Sequence, residues 1–172
     1  MIETARLALR QLTTDDAAFI LELVNDPAWI AFIGDRGVHN LDDAGAYIAN
    51  GPMAMYAAQG FGLYLVELKA TGAPIGMCGL IKRDFLEDVD IGFAFLARYR
   101  GHGYAFEAAT ATLTYAADTL GHERVVAIVA QENHRSSRLL EKLGFHFERM
   151  MRYPDETEEL RLYACQIKRA GV

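Results

Sequence analysis

Residues 98–105 read "RYRGHGYA", and this stretch decides how the chain is read. Gly101 and Gly103 stand one residue apart, with Arg98 and Arg100 just before them. Upstream lies the apolar run "IGFAFLA" (91–97), and downstream "FEAATATLTYAADTL" (106–120) has the look of a helix. The order is therefore strand, glycine turn, helix. A helix N-terminus offers unpaired backbone N–H groups and a partial positive charge. Glycine lets a backbone approach an anion closely and lets φ turn positive. Gly101, His102, Gly103, Tyr104 and Ala105 thus read as a backbone cradle for a diphosphate, with Arg98 and Arg100 supplying charge-assisted hydrogen bonds. A tight turn with solvated arginines is the other reading of the same residues.

The phosphate ligand can be narrowed. No GxxxxGK[ST] string occurs, so the chain has no P-loop. The dinucleotide fingerprint GxGxxG fails at its third glycine, where Phe106 stands and obstructs close helix–strand packing. The turn also comes late in the chain, after a long helical and hairpin segment.

Working outward, "RVVAIVA" (124–130) is β-branched and apolar throughout, as a central parallel strand requires. Strand 89–96, helix 103–120 and strand 124–130 form a βαβ unit, whose right-handed crossover makes the strands parallel. "FGLYLVEL" (61–68) and "PIGMCGLI" (74–81) flank "KATGA" and predict a hairpin. "RLALRQL" (6–12) alternates as a strand, and "TTDDAAFILELVND" (13–26) sets Phe19, Ile20, Leu23 and Val24 on one helical face before Pro27. Residues 28–59 predict two or three short helices joined by loops, punctuated by Gly34, Gly37, Gly51 and Pro52. "HRSSRLLEKL" is a short helix closed by Gly144. "FHFERMMRY" and "ELRLYACQI" finish the chain as strands, read as antiparallel. The expectation is one α/β domain, 1–172, with a mixed sheet of six or seven strands flanked by helices.

Composition fits a globular domain: 172 residues, 52% hydrophobic and 23% charged. A net charge of −6 argues against general binding to nucleic acid or an anionic membrane. Cys78 and Cys165 sit in apolar strand-like runs, without a CxxC or a Cys/His cluster, so buried reduced thiols are expected and no metal site. No apolar run approaches the ~18 residues of a membrane span, and the charged start "MIETARLALRQL" is no signal peptide. The default is a cytoplasmic protein, monomeric or homodimeric.

A second signal follows strand 124–130. "QENHRSSRLLEKLGF" (131–145) places Asn133, Ser136 and Arg138 at the mouth of a short helix. The C-terminal ends of neighbouring parallel strands face one crevice, so Asn133 and Ser136 fall on the side of the glycine turn. Helix capping by Asn133 or Ser136 is the plainer alternative.

Together these stretches resemble the GNAT superfamily of N-acetyltransferases. The coenzyme signature [Q/R]xxGx[G/A] is matched by Arg98, Gly101 and Gly103, and the pattern "NxxSxRxLEKLGF" by Asn133, Ser136, Arg138 and Leu140 to Phe145. The second stretch is most similar to the branch of RimJ- and RimL-type ribosomal-protein N-terminal acetyltransferases. The resemblance implies an acetyl-CoA enzyme whose strand 89–96 splays away from strand 124–130. The pantetheine arm would pair with backbone near Phe95 and Leu96 and touch Asn133, and the amides from Gly101 to Ala105 would hold the pyrophosphate.

The chemistry implied is direct attack of an amine on a thioester. An alkyl ammonium must first lose a proton, which a carboxylate can take through water. Asp90 is the best candidate, at a position where relatives carry a glutamate; Asp88 competes from two residues away. The tyrosine acid usual in the family is replaced by Leu140, which leaves Ser136 to assist the departing thiolate. Tyr104 and His102 are further candidates. Trp29, Phe32, Tyr47 and Tyr56 fall in the region that borders the acceptor site in this superfamily, where core packing is their simpler role. The acceptor stays open between a protein N-terminus, a polyamine, an amino acid and an antibiotic. A non-catalytic acyl-CoA sensor remains the alternative function, with an unrelated NAD or ATP site as the third.

Overall fold

Alternating apolar side chains divide this sheet into two covered faces. The computed structural model describes residues 1–171. Strands β1 (Ile2–Glu3), β2 (Leu7–Gln11), β3 (Leu63–Leu68), β4 (Pro74–Ile81), β5 (Val89–Phe95), β6 (Arg124–Ala130), β7 (His146–Met151) and β8 (Leu160–Gln166) form one eight-stranded sheet in the order β1-β2-β3-β4-β5-β6-β8-β7. The sheet has one strand more than expected. The added strand, β1, is two residues long and pairs antiparallel with β2, too short to leave an alternation in sequence.

Helices α1 (Ala17–Val24), α2 (Pro27–Phe32), α3 (Leu41–Ile48) and α4 (Ala54–Gln59) precede β3. Helix α5 (Tyr104–Asp118) links β5 to β6, and α6 (His134–Lys142) links β6 to β7. In β3, Tyr64 and Val66 join the cluster under α5, whereas Leu65 joins the cluster with α1 and α3. Helix α5 meets the sheet through small residues, Ala108, Ala109, Thr112, Ala116 and Ala117, all buried. Their size lets the helix lie close to the strands.

Residues 49–53 differ from expectation. Gly51 and Pro52 were expected to break the chain into loops, but Ala49–Met53 forms a wide π-helical turn that carries α3 directly into α4. A wide turn accommodates a proline that has no N–H to donate and whose ring crowds an α-helix.

The decisive irregularity lies mid-sheet. Strand β5 pairs with β4 from Asp90 to Phe95. On its other side it pairs with β6, in parallel, at Val89–Val125 and Asp90–Val126 alone among the described residues. Strand β6 keeps full antiparallel pairing with β8 from Arg124 to Ala130. The sheet is therefore continuous at one end and parted at the other, between the strands the sequence indicated.

Close strand packing on β4 depends on glycine. A Cβ at Gly79 would lie 2.1 Å from the Gly62 carbonyl oxygen and 2.8 Å from Leu63 Cα. Both neighbours are backbone and yield only if strands move. Gly79→Ala is expected to destabilise the fold by about 1–3 kcal/mol, the usual cost of overpacking. Urea unfolding monitored by circular dichroism checks this, and an unchanged midpoint contradicts it.

Candidate active site

Where β5 leaves β6, its backbone has no strand to pair with. Leu96 N–H donates to the Ile75 carbonyl at 3.0 Å, on the β4 side. Backbone groups alternate sides along an extended strand, so the amides of Phe93 and Phe95 turn into the gap. This corrects the expectation for Leu96, whose amide is used within the sheet and whose side chain is buried against the α1–α3 cluster. Phe95 keeps its N–H in the gap, but its carbonyl accepts from Arg100 Nε at 3.1 Å.

A cleft of about 660 Å³ opens beside the gap, with Asp90, Arg83, Tyr153, Tyr47 and Leu140 among its walls. A second cavity of about 320 Å³ reaches Asp26, Arg100 and Ala105. Trp29, Phe32, Phe93, Ala94, Asn133 and Ser136 line both, so the two adjoin along the parted strands. The larger cleft lies between the α1–α3 cluster and a separate cluster in which Leu86 packs on β6 and β8.

Asp90 is only 3% exposed yet lies on the cleft wall. Arg83 Nε donates to both its oxygens, at 3.1 and 3.3 Å. Burial pushes this carboxyl above the ordinary carboxylate range, and the Arg83 charge and hydrogen bond offset only part of that. Asp88 is held elsewhere: Arg124 donates to it at 2.9 Å and to Glu148 at 2.6 Å, and Asp88 does not line the cleft. Of the two carboxylates, only Asp90 reaches the cavity.

Asn133 caps α6, its Oδ1 accepting from Ser136 N–H at 3.2 Å. That assignment leaves Nδ2 as a donor at the junction of the cavities. The capping alternative and the binding expectation thus occupy two ends of one amide. Ser136, half-buried, lines both cavities.

The glycine turn has the backbone its sequence implies. Gly101 and Gly103 hold φ of 80° and 81°, values that side-chain-bearing residues rarely adopt. The first bond of α5 runs from Glu107 N–H to the Gly103 carbonyl at 3.1 Å, so the amides of Tyr104, Ala105 and Phe106 have no helical acceptor. The arginines are placed differently from expectation. Arg98 pairs with Glu22 and lies outside both cavities. Arg100 donates to Asp26 at 2.9 Å, bolting the α2 N-cap to the end of β5. The rings of His102 and Tyr104 stack on each other at 5.5 Å and line neither cavity.

Among the helical-segment aromatics, Trp29, Phe32 and Tyr47 reach the cleft. Tyr56 does not: it stacks on Tyr64, accepts from Leu12 N–H at 3.1 Å and donates to the Leu63 carbonyl. Arg83 and Tyr153 were missed. Register brings Arg83 into place, because Ile81 pairs with Asp90 across the β4–β5 connection. The sequence of that connection has no turn motif from which to count. Tyr153 falls just past β7, in a stretch that alternates like a strand, and its ring lies 5.2 Å beneath the Arg83 guanidinium carbon.

The profile of the Acetyltransferase (GNAT) domain matches residues 6–146. The chain belongs to the GNAT acetyltransferases. YoaA of Bacillus subtilis, named an uncharacterized N-acetyltransferase, is 27% identical over 88% of this chain and 86% of its own length. An acetyltransferase from Agrobacterium tumefaciens superposes with a TM-score of 0.79 at 25% identity, covering 95% of this chain and 92% of that one. RimL, a ribosomal L7/L12 alpha-N-protein acetyltransferase solved with coenzyme A, superposes with a TM-score of 0.79 at 18% identity, covering 95% and 96%. The latter likeness is one of fold. The protein is thus an acyl-CoA-dependent acetyltransferase of α/β architecture, and its family's acyl donor is acetyl-CoA.

The residues fit such a donor. An extended arm can pair with the free amides of Phe93 and Phe95 as an added strand, and a diphosphate suits the unpaired amides at the start of α5. No helix among the described residues is long and apolar enough to cross a membrane.

Burial of Asp90 makes a stability prediction for this acetyltransferase. A carboxyl whose folded pKa is raised costs stability once it ionises, so the cost grows as pH climbs from the unfolded value, about 3.9, through the folded one. Asp90→Asn mimics the neutral form. Its melting temperature is expected to equal or exceed that of the wild type near pH 7, with the difference shrinking towards about pH 4. A variant markedly less stable at neutral pH would mean that the Arg83 pair outweighs burial.

Proposed function

We propose that this protein moves an acetyl group from acetyl-CoA to a primary amine, either a protein N-terminus or a small-molecule amine, by direct attack in a ternary complex. The observation that carries the reading is the parting of β5 from β6, with Asp90 and Ser136 on the cavity beside it and the glycine turn at the end of β5. The pattern "NxxSxRxLEKLGF" from Asn133 to Phe145 supports placement near the RimJ- and RimL-type branch.

In this reading the amides of Phe93 and Phe95 and Asn133 Nδ2 hold the pantetheine arm, and the backbone from Gly101 to Ala105 holds the pyrophosphate. Acetyl-CoA supplies a thioester that exchanges its C–S bond for the new C–N bond. Asp90 receives the ammonium proton through water. Its raised pKa makes it a stronger base than an exposed carboxylate. Ser136 donates a hydrogen bond to the departing sulfur. Tyr153 and Arg83 fix the Asp90 side of the cleft, and Trp29, Phe32 and Tyr47 shape the acceptor wall. Neither cysteine lines the cavities, and burial pushes Cys78 up to about 12 and raises Cys165, so neither is poised as an acetyl carrier.

The test joins ligand and turnover. Acetyl-CoA and CoA are expected to raise the melting temperature, whereas NAD and ATP are not. An amine panel with thiol-release detection then identifies the acceptor. With it, Asp90→Asn is expected to lower the rate by about 10²-fold or more and to remove the acidic limb of the pH–rate profile, while Ser136→Ala lowers kcat with acetyl-CoA binding retained. Wild-type profiles from both folded variants would sink the assignment.

The glycine turn yields a separate outcome. Gly103→Val combines a branched side chain with a φ of 81°, and is expected to weaken CoA binding by about tenfold or more. Isothermal titration of the folded variant reads this directly; an unchanged affinity removes the cradle.

A further inference from the structure

The start of α5 contains a charge that works against an anion. Glu107 lies in the first turn of the helix, beside the amides offered to the diphosphate. A carboxylate there satisfies the positive end of the helix and competes with a phosphate for the same field. The fold supplies a counter-charge from far away in sequence. Arg6, in the connection between β1 and β2, donates its backbone N–H to Glu107 Oε1 at 2.9 Å and its Nε to Oε2 at 2.7 Å. Thr4 Oγ1 donates to the same carboxylate at 2.6 Å. Burial disfavours charge on Glu107, but these donors and the Arg6 charge outweigh it and hold the carboxyl below its ordinary range.

The same arginine reaches the turn itself. Its Nη1 donates to the His102 carbonyl at 3.0 Å, and its guanidinium carbon lies 4.6 Å over the Tyr104 ring. The His102 ring folds back on the same turn, with Nδ1 at 3.0 Å from the Arg100 oxygen and 3.2 Å from the Tyr99 oxygen. With the His102 carbonyl held by Arg6 and the Gly103 carbonyl by the Glu107 N–H, the turn presents the amides at the start of α5 to an anion. Arg6 Nη2 stands 3.4 Å from where a Gly103 Cβ would be. Arg98 and Arg100, the cations nearest in sequence, are engaged by Glu22 and Asp26.

We propose that Arg6 is a positioning residue for the acyl donor: it neutralises Glu107 and fixes the His102 carbonyl, so that the glycine turn accepts the diphosphate of acetyl-CoA. The inference rests on the reading above that the turn holds this group. It assigns a coenzyme role to the N-terminal strand segment, remote from the parted strands.

Charge compensation differs from a mechanical brace in the sign of a double mutant. CoA affinity is measured by isothermal titration on the full chain for Arg6→Met, Arg6→Lys, Glu107→Gln and the pair Arg6→Met/Glu107→Gln, with Gly103→Val alongside. Arg6→Met is expected to bind CoA about tenfold more weakly, or roughly 1.4 kcal/mol. Arg6→Lys is expected to fall between, since it keeps the charge and loses the planar fork. Glu107→Gln is expected to bind at least as tightly as the wild type, and the double variant to regain most of the loss. A double variant as weak as Arg6→Met overturns the electrostatic role. Unchanged binding in Arg6→Met, with Gly103→Val weakened, overturns this inference alone; unchanged binding in both overturns the cradle as well. If Arg6→Met does not fold, Glu107→Gln decides, because weaker CoA binding by that variant is incompatible with the proposal.

Discussion

Everything in this protein is arranged around a β-sheet that stops pairing partway along two of its strands. Backbone N–H and C=O groups buried without partners cost free energy, so a parted sheet persists only where something else satisfies them. Here the neighbours do much of it. Strand β4 holds one edge of β5, β8 holds β6 along its whole length, and the Arg100 side chain takes the Phe95 carbonyl. What stays open is a short row of amides beside a cavity. Covering the faces with α5 on one side and α1–α3 on the other fixes how far the strands part, because both layers pack on the same strands.

The turn that follows β5 is surrounded by compensated charges. Arg100 with Asp26, Arg98 with Glu22, and Arg6 with Glu107 each join segments far apart in sequence. An exposed pair such as Arg98 with Glu22 adds little to stability. The value of the three pairs is geometric: α2, the turn after β5 and the N-terminal segment are each tied to the same short region. Asp90 and Arg83 form a further pair that faces the cleft, and its carboxylate is buried.

Much of this was legible in sequence, for physical reasons. Strand–turn–helix order, the two glycines and the apolar "RVVAIVA" are local signals, and local signals survive folding. Gly101 and Gly103 do adopt the left-handed backbone that their spacing implies. Asp90 was named because relatives carry a glutamate at its position, whereas the capture of Asp88 by Arg124, which separates the two carboxylates, joins residues distant in sequence. The pairing of Arg98 with Glu22 and of Arg100 with Asp26 was not legible, because the partners are 76 and 74 positions away. Arg83, Tyr153 and Arg6 were missed on the same ground: each acts through a partner that only the register or the packing brings near. The π-helical turn at 49–53 was read as a break because Gly51 and Pro52 speak locally against an α-helix, and they do not distinguish a loop from a wider helix.

The cleft sits on a seam between two hydrophobic clusters, and this divides the protein by its freedom to change. The end proposed to take the acyl donor is formed by β5, α5 and α6, whose side chains share one continuous core, so substitutions there propagate into the packing of the sheet. In the proposed reading the acceptor end is bounded by α2, the wide turn at 49–53 and the connections around Arg83 and Tyr153, which rest on separate clusters or on the surface. Loops and irregular turns accept substitution and insertion at little cost to the scaffold. If the cleft is divided as proposed, a chain of this design can exchange one acceptor for another over evolutionary time by redrawing one bank, while the bank built on the continuous core stays as it is.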